Sequence, residues 1–167
     1  LKVENLELHL NSVGSFGDRT HYREALVNYF TPYKDELDED SQDRLTRNPL
    51  RILDSKAART QEIAQDAPSI LDYLGDDSRA LFDRVQQMLS DLGIKYILNP
   101  RLVRGLDYYT RTTFAMQTGS LGAQSAVAGG GRYDGLVKML GGPQIPATGF
   151  AIGFDRLAEI VAQAGGS

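Results

Sequence analysis

Residues 112–128, TTFAMQTGSLGAQSAVA, hold two strand-like runs around a short break. β-Branched and apolar residues fill 112–117, small and apolar residues fill 123–128, and Gly119 and Gly122 interrupt them over a hairpin-length break. Two strands so joined pair antiparallel. Further strands lie outward from this pair. Residues 147–152 (ATGFAI) and 94–98 (IKYIL) are short apolar runs, and near the start Leu6, Leu8 and Leu10 alternate with Glu7, His9 and Asn11, the period of a strand with one buried face. Helices stand at the margins. Asp18 can cap one whose apolar residues Tyr22, Ala25, Leu26, Tyr29 and Phe30 fall at helical spacing before Pro32. Asp77 or Ser78 can cap another, with Leu81, Val85, Met88, Leu89 and Leu92 on one face and Gly93 as its stop. The Gly129–Gly130–Gly131 triplet is expected to separate the 123–128 strand from a short helix over 133–140, and a last helix covers 155–164.

Between residues 33 and 74 the chain reads as short helical pieces punctuated by Pro49, Pro68 and Gly75, with apolar residues too sparse for a large core. The expected class is therefore α+β: an antiparallel sheet with flanking helices, built from residues 1–11 and 94–167, with a mostly helical insertion over 12–93.

The chain has 167 residues, 41% of them hydrophobic and 24% charged, enough for one sizeable core and too apolar for disorder. It has no cysteine, which excludes disulfides, thiolate metal sites and a cysteine nucleophile and fits a reducing cytoplasm. No apolar run approaches the roughly 18 residues of a membrane span, so no membrane partner is expected. The start at Leu1, running directly into strand-like alternation, suggests an excised piece. A net charge of -4 repels nucleic acid on average, but the charges segregate. Asp35, Glu36, Asp38, Glu39, Asp40 and Asp43 precede Arg44, Arg47, Arg51, Lys56 and Arg59, which only Asp54 opposes. The basic run can form an RNA-binding face, or it can pair with the acids as a solvated helical surface.

Three segments hold the residues best suited to chemistry. In 102–110 (LVRGLDYYT), Arg104 beside Gly105 and the phenols of Tyr108 and Tyr109 can bind a phosphate and a polar ring together; a strand edge with half-buried tyrosines is the plain alternative. In 128–136 (AGGGRYDGL), three glycines let a backbone approach a ligand closely, or simply make a tight turn before a helix. In 147–157 (ATGFAIGFDRL), Arg156 stands in the first turn of a helix, where it opposes the helix dipole unless an anion or a neighbouring acid holds it. His9 and His21, the only histidines, have no partners at metal-ligand spacing. No metal site is expected, and no Ser/His/Asp set or carboxylate pair suggests itself.

LVRGLDYYT, AGGGRYDGL and GFAIGFDRL in that order resemble the signature series of histidyl-tRNA synthetases, the last being motif 3 of the class II synthetases. NSVGS at 11–15, NPLRILDSK at 48–56 and DAPSILDYL at 66–74 look like the bacterial form of that family, so the resemblance covers essentially the whole chain. It implies a class II sheet with an insertion that leans on the acceptor arm of tRNA(His). It also implies a two-step reaction in which histidine and ATP, with Mg2+, give histidyl-adenylate, whose histidyl group passes to the terminal ribose of the tRNA. By the same resemblance Arg104 is the catalytic cation on the α-phosphate and also touches histidine, Tyr108 and Tyr109 line the histidine pocket, Gly129 and Gly130 wall it, and Arg156 grips the distal phosphates of ATP. Arg44, Arg47, Arg51, Lys56 and Arg59 are candidate tRNA contacts.

Nothing here matches motif 1, which builds the homodimer interface in the family, or motif 2, which brings another ATP-binding arginine. The 167 residues alone are therefore expected not to activate histidine. Two other readings share some of these features: the regulatory subunit of ATP phosphoribosyltransferase, a synthetase paralogue that senses histidine, and a free-standing RNA-binding module made of the insertion alone.

Overall fold

In a computed structural model of the chain, which describes residues 6–102, 108–118 and 126–163, one sheet gathers strands from both ends of the sequence. The strands are β1 (Leu6–Ser12), β2 (Ile97–Leu98), β3 (Thr110–Thr118), β4 (Ala126–Tyr133) and β5 (Ala147–Ile152), in spatial order β2-β1-β3-β4-β5. The pairs β1–β3, β3–β4 and β4–β5 are antiparallel, as expected. One edge departs from that pattern, because β2 runs parallel to β1 through His9↔Ile97 and Leu10↔Leu98. The long helical excursion between these strands returns the chain in its original direction, which a hairpin cannot do.

The excursion holds α1 (Phe16–Phe30), α2 (Glu39–Arg47), α3 (Ala58–Gln65) and α4 (Asp76–Asp91), with 3-10 turns at Thr31–Glu36, Pro49–Asp54 and Ile70–Tyr73. Its core is larger than the sparse apolar content suggested. Leu26, Phe30, Ile52, Ile63 and Phe82 join Leu10 of β1 in one buried cluster. Each short piece contributes only one or two side chains, so no single window looks hydrophobic, yet α2 and the three 3-10 turns pack on α1, and α3 packs on the first two of those turns.

Both helix starts differ from expectation. Ser15, not Asp18, caps α1: its side chain accepts from the Asp18 amide (3.2 Å), while Asp18 Oδ2 accepts from the Ser15 amide (2.8 Å). Gly75 precedes α4, leaving Asp77 and Ser78 inside the first turn, where the Ser78 hydroxyl donates to Asp18 (2.5 Å) instead of capping its own helix. Gly93 does end α4, at φ 68, and the Ile94 amide closes back on the Leu89 carbonyl (2.9 Å). That closure takes up the first part of the expected 94–98 strand and leaves only Ile97 and Leu98 to pair.

The glycine triplet also lies elsewhere than expected. It sits within β4, paired on both sides, and the helix after it, α5 (Leu136–Met139), is a single turn. A final helix, α6 (Phe154–Gln163), follows β5. The apolar face foreseen for α4 is only partly covered: Val85 and Leu89 line a cavity of about 410 Å³ against Leu8, Leu10 and Phe114, while Met88 and Leu92 are exposed.

Candidate functional site

Side chains alternate across a strand, so register assigns each residue to a face of the sheet. On one face Asn11, Thr113, Gly131 and Gly149 form a row across β1, β3, β4 and β5, and His9, Ala115, Gly129 and Ala151 form the next. From β3 to β5 nothing on these two rows is larger than threonine. The result is a floor of small side chains and bare backbone, with Asn11, Thr113 and Ala115 fully buried and the Tyr109 and Tyr133 rings packed against Gly131 and Gly149.

Three tyrosines rim one end of this floor. Tyr108 and Tyr109 follow each other into β3, and Tyr133 closes β4; ring centroids stand 5.1 Å apart for Tyr108–Tyr109, 5.6 Å for Tyr108–Tyr133 and 6.3 Å for Tyr109–Tyr133. The glycines permit this grouping. A Cβ at Gly131 would stand 2.9 Å from Tyr109 Cδ1, and one at Gly149 would collide with the Tyr133 hydroxyl. On the other side His9 shares a hydrogen bond with Asn99 (3.2 Å), and Asn11 Nδ2 donates to the carbonyls of Pro100 and Leu102, both at 3.3 Å. Residues 99–102 are thereby tied to β1.

The residues singled out from sequence fall as follows. Tyr108, Tyr109 and Gly129 are on this floor or its rim. Gly130 points to the opposite face, where a Cβ would strike Phe150. Arg104 lies outside the described residues. Arg156 is in the first turn of α6, and its Nη1 donates to the Ala126 carbonyl (2.6 Å), at the end of β4 remote from Tyr133. Seven residue steps separate those two ends, about 23 Å of extended chain. Sequence reasoning missed Tyr133 and Ala151, and it did not assign Gly149 or Gly131 to the pocket, although Gly131 belongs to the triplet read as letting a backbone approach a ligand. The available signal was small residues at every second position of consecutive strands.

A family model described as histidyl-tRNA synthetase matches residues 30–157, more than half of the chain. The chain belongs to the histidyl-tRNA synthetase family. A histidine–tRNA ligase of Picosynechococcus sp. is 66% identical to it over 165 residues, which are 99% of this chain and 39% of that protein. Apo histidyl-tRNA synthetase of S. aureus is 38% identical and superposes with a TM-score of 0.73, over 98% of this chain and 40% of that one. The chain thus spans about two-fifths of the length of the relatives it matches. A Bacillus halodurans protein described as an ATP phosphoribosyltransferase regulatory subunit/histidyl-tRNA synthetase shares the fold alone, at 22% identity and a TM-score of 0.53, over 95% of this chain and 45% of that one.

Within this synthetase-family chain the basic run of the helical segment is largely neutralised. Arg44 pairs with Asp40 (3.5 Å), Arg47 with Asp43 (3.9 Å), and Arg59 with both Glu36 and Glu62. Arg44, Arg51 and Lys56 nevertheless share a polar cleft of about 430 Å³ with Asp38, Asp40 and Asp54. Asp38 is the hub beneath it. Burial works to raise its pKa, but hydrogen bonds from Ser41, Ser55 and Thr60 outweigh that and hold the carboxyl well below its ordinary range.

Proposed function

We propose that this chain supplies the histidine-binding surface and part of the ATP-binding surface of a histidine–tRNA ligase. The observation that carries the reading is the tyrosine-rimmed floor of small residues, in a chain of this family, with Arg156 toward the far end of the same strand. Phenol groups suit an imidazole, which offers one donor and one acceptor nitrogen, and a pocket that pairs both rejects side chains lacking them. The span along β4 leaves room for an amino acid at the tyrosine end and a nucleotide triphosphate toward Arg156.

In the first step a histidine carboxylate oxygen attacks the α-phosphorus of ATP, and the bond to the bridging oxygen breaks to release pyrophosphate. Arg104 is assigned to the charge that develops on the α-phosphate, and Arg156 to the distal phosphates; fixed guanidinium groups need no reorganisation to meet that charge. In the second step a terminal ribose hydroxyl of tRNA(His) attacks the histidyl carbonyl and AMP leaves. Mg2+ would enter with the ATP phosphates, as the family resemblance implies. No helix of the described residues is long and apolar enough to cross a membrane. A cytoplasmic homodimer is the form this reading assumes.

Residues 1–11 and 94–167 are assigned to the catalytic sheet and 12–93 to an insertion that meets the acceptor arm. Of its cations, Arg44, Arg51 and Lys56 line the polar cleft together and are the ones this reading assigns to phosphate, while Arg47 and Arg59 do not line it. The test is ATP–pyrophosphate exchange by the full-length polypeptide that carries this chain, with each amino acid in turn. Exchange that depends on histidine supports the reading. Histidine binding without exchange would point to the sensor paralogue, and dependence on another amino acid would overturn the assignment. The isolated 167 residues are expected to exchange nothing.

A further inference from the structure

We infer that Arg111 and Asp134 form a positioning clamp that sets the spacing of the tyrosine rim and ties it to the base of the helical segment. Arg111 is the one non-glycine position with positive φ among the described residues, at 57°. L-residues rarely adopt that conformation, and it persists here because the surroundings hold it. The Arg111 amide donates to the Gly14 carbonyl (2.8 Å), and its own carbonyl accepts from the Val13 amide (2.7 Å). The twist coincides with a bulge, where pairing between β3 and β4 jumps from Thr110↔Arg132 to Thr113↔Gly131. Bulges of this kind re-aim neighbouring side chains, and the neighbours here are Tyr108 and Tyr109.

The twisted backbone sends the Arg111 guanidinium between two anchors. Nη1 donates to Ser78 Oγ (3.1 Å), and Nε stands 3.5 Å from Asp134 Oδ2. Ser78 in turn donates to Asp18, at the start of α1. Asp134 directly follows Tyr133; its amide donates to Thr110 Oγ1 (3.0 Å), and its Oδ1 accepts from Arg132 Nε (2.7 Å). The strand ends that hold the rings are thus joined by side chains that do not belong to the rim. Arg19 of α1 adds a second tie, donating from Nη1 to the Tyr109 carbonyl (3.1 Å). A chain of contacts therefore runs from the two helix starts, through Ser78 and Arg111, to the residue beside Tyr133.

Arg111 and Asp134 are positioning residues: they act on histidine through the tyrosines. This role rests on the proposed function for its kinetic readout but not for its structural one, so both are measured on the full-length polypeptide. Arg111→Gly is the informative variant, because it removes the guanidinium while relieving the left-handed backbone. Asp134→Asn, nearly isosteric, serves as a second variant should the first misfold, and Arg111→Lys as a conservative rescue. With fluorotyrosine incorporated, Arg111→Gly and Asp134→Asn should shift or broaden the resonances of Tyr108, Tyr109 and Tyr133 and leave those of Tyr22 and Tyr29 in place. In pyrophosphate exchange they should raise KM for histidine about tenfold with little change in KM for ATP, and Arg111→Lys should recover part of the loss. Shifted rings without histidine-dependent exchange in the wild type would sustain the clamp and sink the proposed activity. Unmoved rings and an unchanged KM for histidine, with only thermal stability lowered, would overturn the clamp.

Discussion

At the scale of single residues, the site depends on what is missing as much as on what is present. Tyr133 can lie beside Tyr108 because position 149 has no side chain, and Tyr109 can lie over position 131 for the same reason. Gly149→Ala should therefore displace the Tyr133 ring and raise KM for histidine about tenfold or more in the full-length polypeptide, with KM for ATP nearly constant; steady-state exchange assays check it. Tyr108 and Tyr109 were legible in the sequence because they are adjacent. Tyr133 was not, because only strand pairing brings it to them. Asp18 makes a different prediction. Burial pushes its pKa up, but hydrogen bonds from Ser78 and from the Ser15 and Gly75 amides prevail and lower it from 3.8 to about 2. A carboxyl whose folded pKa lies below its unfolded value stabilises the fold above pH 3.8, and that stability drains away as pH falls through about 2. The contribution is on the order of 2 kcal/mol. Urea midpoints measured from about pH 6 down to about pH 2 should start lower for Asp18→Asn and fall less steeply than for the wild type.

At the scale of elements, each run expected to be a strand contributes residues to the sheet, although only Ile97 and Leu98 of 94–98 do so and residues 123–125 of the 123–128 run lie outside the described residues. Caps were harder. Ser15 and Asp18 satisfy each other's amides, a reciprocal arrangement that a search for one capping residue assigns to the wrong partner. The glycine triplet looked like a turn because glycine is disfavoured in strands, yet β4 is held by ladders on both sides, with Gly129 and Gly131 on the face of the tyrosine rim and Gly130 on the other. The helical segment hid its core by dividing it among short pieces around α1. Leu26, fully buried on α1, is the most telling position: Leu26→Ala should cost about 2–5 kcal/mol by urea denaturation, as expected of a shared core. A loss below about 1 kcal/mol would mean that the short pieces do not pack on α1 as described.

At the scale of the whole molecule, apolar surface remains open. Leu92, Met139, Leu140, Phe150 and Phe154 are each between 69% and 80% exposed. The 167-residue chain on its own should bind a hydrophobic dye such as ANS and self-associate as its concentration rises; sedimentation velocity with no association and no dye binding would contradict this distribution of surface. The account as a whole turns on which face of the sheet receives the imidazole. A structure of the full-length polypeptide with histidine and a non-hydrolysable ATP analogue decides it. The ring should lie over Gly129, hydrogen-bonded to a hydroxyl among Tyr108, Tyr109 and Tyr133, with the polyphosphate reaching toward Arg156. Histidine seated on the opposite face, against α4, or out of reach of all three hydroxyls would contradict the account.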